Sequence, residues 1–290
     1  MQSVLNPQGP DAAIIAEMSW VLIIGATIIF VAVMAIAGYA LFGSKREVFA
    51  SKTLIVGGGI VFPVVTLSAL LVYSLVRAAA LHPEEPGALR IEVVGEQWWW
   101  RVRYPDFETA NEIRIPVGRP VRLELKSADV IHSFWVPALA GKLDMIPGRT
   151  NVLRVRAERA GEFRGQCAEY CGGPHAFMAL YVVAVPPEEF QRWSDGQRGP
   201  AEKQNPSFVA HCGACHTVRG TAAAGARGPD LTHVGSRLTI GAGLLPNNAG
   251  ALAGWIASSQ HLKPGNLMPS FGMLSGEELR SLAVYLDGLK

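Results

Sequence analysis

The stretch Cys167-Ala-Glu-Tyr-Cys171-Gly-Gly-Pro-His175-Ala-Phe-Met178 places two thiols, an imidazole and a thioether within twelve residues. Such a soft ligand set favours copper over magnesium or calcium. The Gly-Gly-Pro segment after Cys171 predicts a turn, so the stretch is a loop rather than one face of a helix. A single electron-transfer copper usually takes one Cys, two His and a weak Met. The second thiol therefore favours two copper ions that share both sulfurs.

The loop needs a second imidazole, and His132 in the segment Asp-Val-Ile-His-Ser-Phe-Trp is the candidate. It lies between two strand-like runs, where a distant ligand can be presented. A histidine in an apolar run is more often structural, so this assignment depends on the loop that needs a partner. The alternative for Cys167 and Cys171 is a disulfide in an exported domain, which would leave His175 and Met178 unexplained.

Two long uncharged runs near the N-terminus predict a transmembrane hairpin. The chain has 290 residues and a formal net charge of +2, which indicates no nucleic acid partner. No charged residue occurs from 18 to 44 or from 53 to 76, and each run exceeds the ~20 residues that cross a bilayer. The spans are about 18–44 and 53–77, and Pro63 is expected to kink the second. The first run is too long for a signal peptide and no Lys or Arg precedes it.

The charges that flank the spans predict their orientation. Lys45, Arg46 and Lys52 lie in or beside the loop between the spans, whereas Asp11 and Glu17 precede the first span. The positive-inside rule places the loop in the cytoplasm and both termini outside. Neither span has an ionisable residue in its middle, so we expect no proton path within this chain.

Between the hairpin and about residue 186, the pattern is that of short strands. Runs such as Val121-Arg-Leu-Glu-Leu alternate apolar and polar residues, and turn signals at 117–120 and 147–148 separate the runs. This spacing predicts a β-sandwich with the metal loop at one end. Residues 194–206 are rich in Gly, Pro, Gln and charge and are expected to form a linker.

The segment Cys212-Gly-Ala-Cys215-His216 is the attachment signature of a c-type haem. Its two thiols can reach the haem vinyl groups, and His216 becomes an axial ligand of the iron. The other two of the four cysteines, Cys167 and Cys171, belong to the copper-type loop, so no further Cys pair is left to complete a zinc site. A methionine is expected as the sixth ligand, and Met268 and Met273 are the candidates.

Four segments resemble the family of cytochrome c oxidase subunit II. The pattern Cys-x-Glu-x-Cys-Gly-x-x-His-x-x-Met resembles its copper A motif, and Val-Ile-His132-Ser-Phe-Trp-Val-Pro its upstream ligand segment. Gly-Glu-Gln-Trp98-Trp-Trp is similar to its aromatic segment, and Lys-Leu-Asp144-Met-Ile-Pro-Gly-Arg to its loop at the interface with subunit I. The resemblance runs from the membrane segments to about Trp193, and 207–290 resembles class I cytochrome c.

The resemblance implies a ligand set for copper. Cys167 and Cys171 would bridge two copper ions, His132 and His175 would each bind one of them, and Met178 would be a weak ligand.

The resemblance also implies further roles. The backbone carbonyl of Glu169 would bind copper, and its side chain would face a magnesium ion shared with subunit I, with Asp144 nearby. Trp98 would be the point where electrons enter. The Met-Pro pattern of the cytochrome family favours Met268 over Met273 as the haem ligand.

We therefore expect a multidomain membrane protein with a two-helix transmembrane hairpin in 1–85 and an all-β cupredoxin-like sandwich in 86–193. A linker at 194–206 leads to an all-α class I cytochrome c domain in 207–290.

By resemblance, such a chain is the electron-accepting subunit of a caa3-type haem–copper terminal oxidase. A donor outside the cytoplasm, either a cytochrome c or a quinol-oxidising complex, would reduce haem c. Electrons would then pass from haem c to binuclear copper A and from there to a haem of subunit I. Oxygen reduction to water and proton pumping would belong to subunit I, and subunit III is a further expected partner. The expected location is the bacterial inner membrane, with the copper and haem domains on the extracytoplasmic side.

Two alternatives stay open at this point. One is the copper A subunit of a nitric oxide reductase complex, which the sequence of subunit I would distinguish. The other is a membrane-tethered copper-delivery factor, against which the haem-attachment motif weighs. A quinol-oxidising homologue is expected to lack the copper ligands.

Overall fold

The chain has three parts, which follow one another in sequence. A computed structural model describes residues 3–43, 52–81 and 86–290. Two long helices come first, a β-sandwich follows, and a mainly helical domain comes last. This order confirms the predicted fold class.

The N-terminal part consists of two apolar helical runs. Helix α1 covers Pro10–Phe42. The second run comprises α2 at Lys52–Val56, a π-helical turn at Gly57–Val61 and α3 at Phe62–Ala78. The π turn comes just before Pro63, whose missing N–H interrupts the helical hydrogen-bond pattern. Both runs are long and apolar enough to cross a bilayer.

The two runs are joined by an ion pair at the end nearer the sandwich. Glu17 of α1 pairs with Arg77 of α3 and accepts a hydrogen bond of 3.2 Å from Tyr73 Oη. The basic loop on which the predicted orientation rests, at 44–51, lies outside the described residues.

The sandwich consists of two five-stranded sheets among the described residues. One sheet has the order β3-β2-β1-β5-β8, and its strands in that order are Glu108–Ala110, Trp99–Arg103, Leu89–Glu96, Val121–Ser127 and Asn151–Val155. The other has the order β4-β10-β9-β6-β7, with strands at Glu112–Pro116, Ala179–Val185, Gly161–Cys167, His132–Trp135 and Leu143–Met145.

The alternation of apolar and polar residues explains how the sheets pack. In β5, Val121, Leu123 and Leu125 are fully buried, whereas Arg122 and Lys126 are partly exposed. Each such buried side chain stabilises the fold by about 1.5–3 kcal/mol. The largest fully buried side chains of the sandwich core are Trp100, Phe134, Ile91, Ile113, Ile115, Leu123, Leu125, Leu139, Met145, Leu153 and Met178.

The strand order brings the two separated ligand segments together. Strands β9 and β10 pair antiparallel, and Cys167 N donates to Met178 O at 2.9 Å, so the connection between these strands begins and ends at one point. Strand β6 pairs with β9, with Phe134 opposite Cys167. His132, at the start of β6, therefore lies at the same end of the sheet as this connection. We call the connection, residues 168–178, the copper loop.

Helix α4, Pro187–Arg198, closes the sandwich and leads to the haem domain. Helices α5 at Pro206–His211, α6 at Ala249–Leu262 and α7 at Gly276–Asp287 surround the core of that domain, with a short ribbon formed by β11 at Thr239–Ile240 and β12 at Leu245–Pro246. The last helix begins with a capping box, because Ser275 and Glu278 exchange hydrogen bonds at its first turn.

Candidate copper and haem sites

The side chains predicted to bind copper converge at one end of the sandwich. The Sγ atoms of Cys167 and Cys171 are 3.8 Å apart, and His132 Nδ1 lies 3.9 Å from Cys167 Sγ. On the other side, Cys171 Sγ lies 3.4 Å from His175 Nδ1 and 3.9 Å from Met178 Sδ. Two sulfurs, two imidazoles and a thioether therefore form one cluster, which we call the copper cluster.

The sulfur separation is inconsistent with a disulfide and fits a metal. A disulfide bond is about 2.05 Å long, so the disulfide alternative for Cys167 and Cys171 is wrong for this structure. Two sulfurs bound to one metal at about 2.3 Å and a tetrahedral angle lie about 3.8 Å apart, with the zinc–thiolate bond length as a guide. The donor set is soft, so it fits copper better than a hard cation.

Protonation within the cluster is strongly coupled. The hydrogen bond between the two sulfurs lowers the pKa of Cys167 and raises the pKa of Cys171. One thiol can thus ionise while its neighbour stays protonated. Burial opposes a charge on His132, but hydrogen bonds with Cys167 and Asp129 outweigh burial and raise its pKa. Two adjacent thiolates would repel each other, and a bound cation is what allows both to be ionised.

Asp129 is a candidate functional residue that the sequence did not single out. Its Oδ1 lies 2.8 Å from His132 Nε2, so the imidazole presents Nδ1 to the copper cluster. A carboxylate of this kind fixes the tautomer and the orientation of a ligating histidine. The Oδ2 atom accepts a hydrogen bond of 2.6 Å from Gln97 N. The sequence feature that could have identified Asp129 is its position three residues before the predicted ligand His132.

Trp98 contacts the copper loop directly. Its Nε1 donates to the Cys171 carbonyl at 2.9 Å, and Gln97 Nε2 donates to the same oxygen at 2.8 Å. Gly172 has a φ of +116°, and a Cβ at this position would lie 2.9 Å from the Trp98 ring. Glycine is therefore required both by the backbone conformation and by the close approach of the indole.

The carbonyl oxygen of Glu169 lies 3.2 Å from Cys167 Sγ, which places it beside the copper cluster. The side chains predicted for magnesium are less enclosed. Glu169 and Asp144 are both half-buried, and Asp144 lies in β7 opposite Ser133. Over the described ranges, the group of closely spaced metal-ligand atoms belongs to the copper cluster and includes neither carboxylate.

The haem-attachment motif forms a tight turn after α5. The amides of Cys215 and His216 both donate to the Cys212 carbonyl, at 3.1 and 3.0 Å. His216 Nδ1 lies 2.9 Å from Pro229 O, which leaves Nε2 to bind a metal. Burial lowers the pKa of His216, so the neutral form that binds iron is favoured. Gly228 packs against the imidazole, because a Cβ there would lie 2.5 Å from Cε1 of His216.

The two methionine candidates lie in different surroundings. Met268 packs against the core of the haem domain, whereas Met273 is 78% exposed. The Met268 carbonyl accepts hydrogen bonds from Ser259 Oγ at 2.8 Å and Gln260 Nε2 at 2.7 Å. The segment that carries Met268 is therefore fixed to α6, and this favours Met268 as the iron ligand.

One buried polar atom without a partner shows whether the side chains of this domain are compatible with a bound haem. The Arg237 side chain is half-buried, but its Nε atom is fully buried and has no hydrogen-bond partner in the part of the chain that the structure describes. Haem carries two propionate carboxylates, and a guanidinium is a strong partner for such groups. The unpaired Arg237 Nε and the free imidazole nitrogen of His216 both fit this cofactor.

The fold and these two sites define a class of protein: a membrane-anchored electron-transfer protein with a cupredoxin-like domain and a cytochrome c domain. Residues 107–185 match the family described as cytochrome c oxidase subunit II, periplasmic domain, and residues 204–290 match the family described as cytochrome c.

Similar proteins identify the family. Cytochrome c oxidase subunit 2 of Alkalihalophilus pseudofirmus is 33% identical over an alignment that covers 99% of this chain and 91% of that protein. The corresponding protein of Bacillus subtilis is 34% identical over 70% of this chain and 63% of its own length. This chain belongs to the cytochrome c oxidase subunit II family. Among solved structures, the periplasmic domain of subunit II of cytochrome oxidase from Bradyrhizobium japonicum is 36% identical, with a TM-score of 0.38 over 40% of this chain and 96% of that domain.

Proposed function

We propose that this chain is the electron-accepting subunit of a haem–copper terminal oxidase. It would take electrons from an extracytoplasmic donor at haem c and deliver them through binuclear copper A to a haem of subunit I. Oxygen would be reduced to water there, with proton pumping. The observation that carries the proposal is the presence of two candidate redox sites in one chain: the copper cluster and the half-buried His216 of the attachment motif.

The copper pair would be held by the residues of the copper cluster. Cys167 and Cys171 would bridge the two ions, His132 and His175 would each bind one, and the weak axial ligand would be Met178. The Glu169 carbonyl is a further candidate ligand, because it lies beside Cys167. Bound copper and haem would supply one-electron redox chemistry.

The chain's own residues would keep the copper ligands in place. His132 is fully buried and hydrogen-bonded to Asp129, and both cysteines are buried. Ligands that cannot move keep the structural change on electron transfer small. The same burial disfavours the copper-delivery alternative, which needs ligands that exchange their metal readily.

The haem would be attached through Cys212 and Cys215, with His216 and Met268 as axial ligands. Hydrogen bonding of His216 to Pro229 fixes the imidazole orientation. Trp98 would be the contact through which electrons reach the copper loop, since its indole donates to the Cys171 carbonyl.

The arrangement in the membrane is also a proposal. The hairpin of 1–85 would anchor the chain in the bacterial inner membrane, with both termini outside. The copper domain of 86–193, the linker of 194–206 and the haem domain of 207–290 would lie on the extracytoplasmic side. Subunits I and III would be the membrane partners.

A magnesium ion would lie at the interface with subunit I. Glu169 and Asp144 would contribute the side chains of this chain, and subunit I would supply the remaining ligands. This expectation follows from the family resemblance and from the position of the Glu169 carbonyl beside the copper cluster.

The experiment that tests the function replaces the bridging thiols. In the purified complex, Cys167→Ser and Cys171→Ser should each abolish the mixed-valence copper absorption in the near infrared, while the donor still reduces the haem. Oxygen consumption should fall to background. Turnover that survives the loss of copper would disprove the route through the copper pair.

A further inference from the structure

A buried lysine of the haem domain reaches across to the copper domain. Lys263 follows α6 and is only 3% exposed. Its Nζ donates to the Trp98 carbonyl at 2.6 Å and to the Gly241 carbonyl at 3.1 Å. Trp98 belongs to the copper domain and Gly241 to the haem domain, so one ammonium group donates hydrogen bonds to backbone carbonyls of both domains.

The contacts of Lys263 continue toward both candidate sites. On the copper side, Trp98 Nε1 donates to the carbonyl of Cys171. On the haem side, the Lys263 carbonyl accepts a hydrogen bond of 2.8 Å from Asn266 Nδ2, and Asn266 Oδ1 accepts one of 2.8 Å from Met268 N. A continuous series of hydrogen bonds and short chain segments therefore joins the copper loop to the segment that carries the candidate haem ligand.

A second contact between the two domains is made by Arg101. Arg101, which is three residues beyond Trp98, donates from Nη2 to the Ala226 carbonyl at 2.9 Å. Two carboxylates hold its guanidinium, Glu96 and Glu108, each at 2.5 Å. Ala226 lies two residues before Gly228, which packs against the His216 ring. The copper domain thus contacts the His216 side through Arg101 and the Met268 side through Lys263.

Backbone contacts extend the same interface. Ala179 N, directly after the candidate ligand Met178, donates to the Ala242 carbonyl at 2.9 Å, and Leu238 N donates to Glu112 Oε2 at 2.8 Å. A Cβ at Gly243 would lie 2.8 Å from the Cβ of Ala179. Hydrogen bonds donated by backbone amides at this close approach require one relative orientation of the two domains.

The burial of Lys263 is costly. Removal of the ammonium from water lowers the pKa of Lys263 to about 7. The two carbonyl contacts offset part of that cost only while the domains are together, because one of them comes from Trp98. A lysine that only covered the surface of the haem domain would keep its head group in water.

We propose that Lys263 is a positioning residue which, together with Arg101, holds the haem domain in one fixed orientation on the copper domain. This inference rests on the proposed function. One electron would pass from bound haem c to a bound copper pair, with no bond made or broken. The transfer occurs within a docked assembly, rather than during repeated collisions of a tethered domain. Because electron tunnelling weakens steeply with distance, a fixed short separation sets the rate.

The first test is Lys263→Met in the full chain, purified with the oxidase complex, with Lys203→Met as the control. Met keeps the length of the side chain and removes the donor, and Lys203 is an exposed residue. Because a buried carbonyl loses its partner, the docking equilibrium should weaken by about tenfold. After rapid reduction of the haem by a small photoreductant, transfer to copper should therefore be slower than in the parent chain. Hydrogen exchange should quicken at 97–101 and at 263–268. The haem potential and the near-infrared copper absorption should not change.

The second test lengthens the linker. A flexible Gly-Ser insertion after Glu202 lowers the effective concentration of a tethered domain but leaves a docked domain in place. The transfer rate of the parent chain should not change with insertion length, whereas the rate of the Lys263→Met chain should fall. A parent rate that falls with linker length would overturn the fixed orientation.

A third variant keeps the proposal testable if Lys263→Met fails to fold. Arg101→Lys keeps the charge but cannot hold both carboxylates and the Ala226 carbonyl, so it should slow transfer and loosen the 226–228 segment. Normal transfer in a folded Lys263→Met or Arg101→Lys chain would overturn the role of that residue. Normal copper and haem spectra with full oxygen turnover in the parent chain would leave the proposed function standing.

Discussion

The copper cluster and the haem site are built in opposite ways. The copper ligands come from segments 35 residues apart, yet the folded chain alone brings each donor atom within 3.9 Å of a neighbouring donor. The haem-attachment residues are nearly contiguous in sequence. However, the haem domain retains a buried Arg237 Nε with no partner among the described residues. The sandwich alone brings a metal donor set together, whereas the haem domain leaves a buried polar atom that a haem propionate would satisfy.

The difference follows from what fills each core. The sandwich has its own core of fully buried side chains between two sheets, and the copper cluster lies at its end. The haem domain has a smaller core with fewer buried apolar side chains. Small domains have little apolar surface to bury, and a bound cofactor commonly supplies the remainder.

The largest effect is expected when the haem cannot attach. In a Cys212→Ala/Cys215→Ala chain, the haem domain should lose several kcal/mol of stability. Its melting midpoint should then fall by more than about 10 °C, since 1 kcal/mol corresponds to roughly 4–8 °C in a domain of this size. Calorimetry and hydrogen exchange by segment would measure this change. The Cys167→Ser/Cys171→Ser chain is the matched control, and its sandwich should stay folded. If each double variant destabilised its own domain equally, the copper domain would depend on its metal as much as the haem domain depends on its haem.

A smaller effect is expected for the sixth haem ligand. Met268→Ala should remove the methionine–iron absorption band and lower the haem potential on the order of 0.1 V, because a methionine axial ligand raises the potential and axial ligands span about 0.8 V. Met273→Ala is the control, because the side chain of Met273 is largely exposed. If Met273→Ala had the larger effect, the assignment of Met268 would be wrong.

The smallest effect is expected for the carboxylate behind the copper cluster. Asp129→Asn should lower copper affinity by about 10–100-fold, because the amide holds the tautomer of His132 less firmly. Competition with a copper chelator would measure the affinity, and circular dichroism would check that the sandwich is intact. Asp106→Asn is the control, since Asp106 pairs with Arg198 at the surface. Equal affinities in the two variants would show that Asp129 does not support the ligand.

Several elements were predictable because their signals are local. The apolar runs of the hairpin, the alternation in β5 and the capping box of Ser275 and Glu278 each lie within a few residues. The copper loop and the attachment motif are likewise contiguous. Asp129 was missed because a carboxylate beside a turn has an ordinary surface interpretation until its contact with His132 is seen.

By itself, the sequence determined which chemical groups are available: two thiols, an imidazole and a thioether in one loop, and the haem-attachment motif in another. Tertiary structure decided which distant groups meet them. The pairing of β6 with β9 brings His132 to Cys167, and the packing of the two domains brings Lys263 to Trp98. The physical reason is that ligand chemistry depends on residue type and spacing, whereas contacts between segments far apart in sequence depend on strand order and on which surfaces exclude water together.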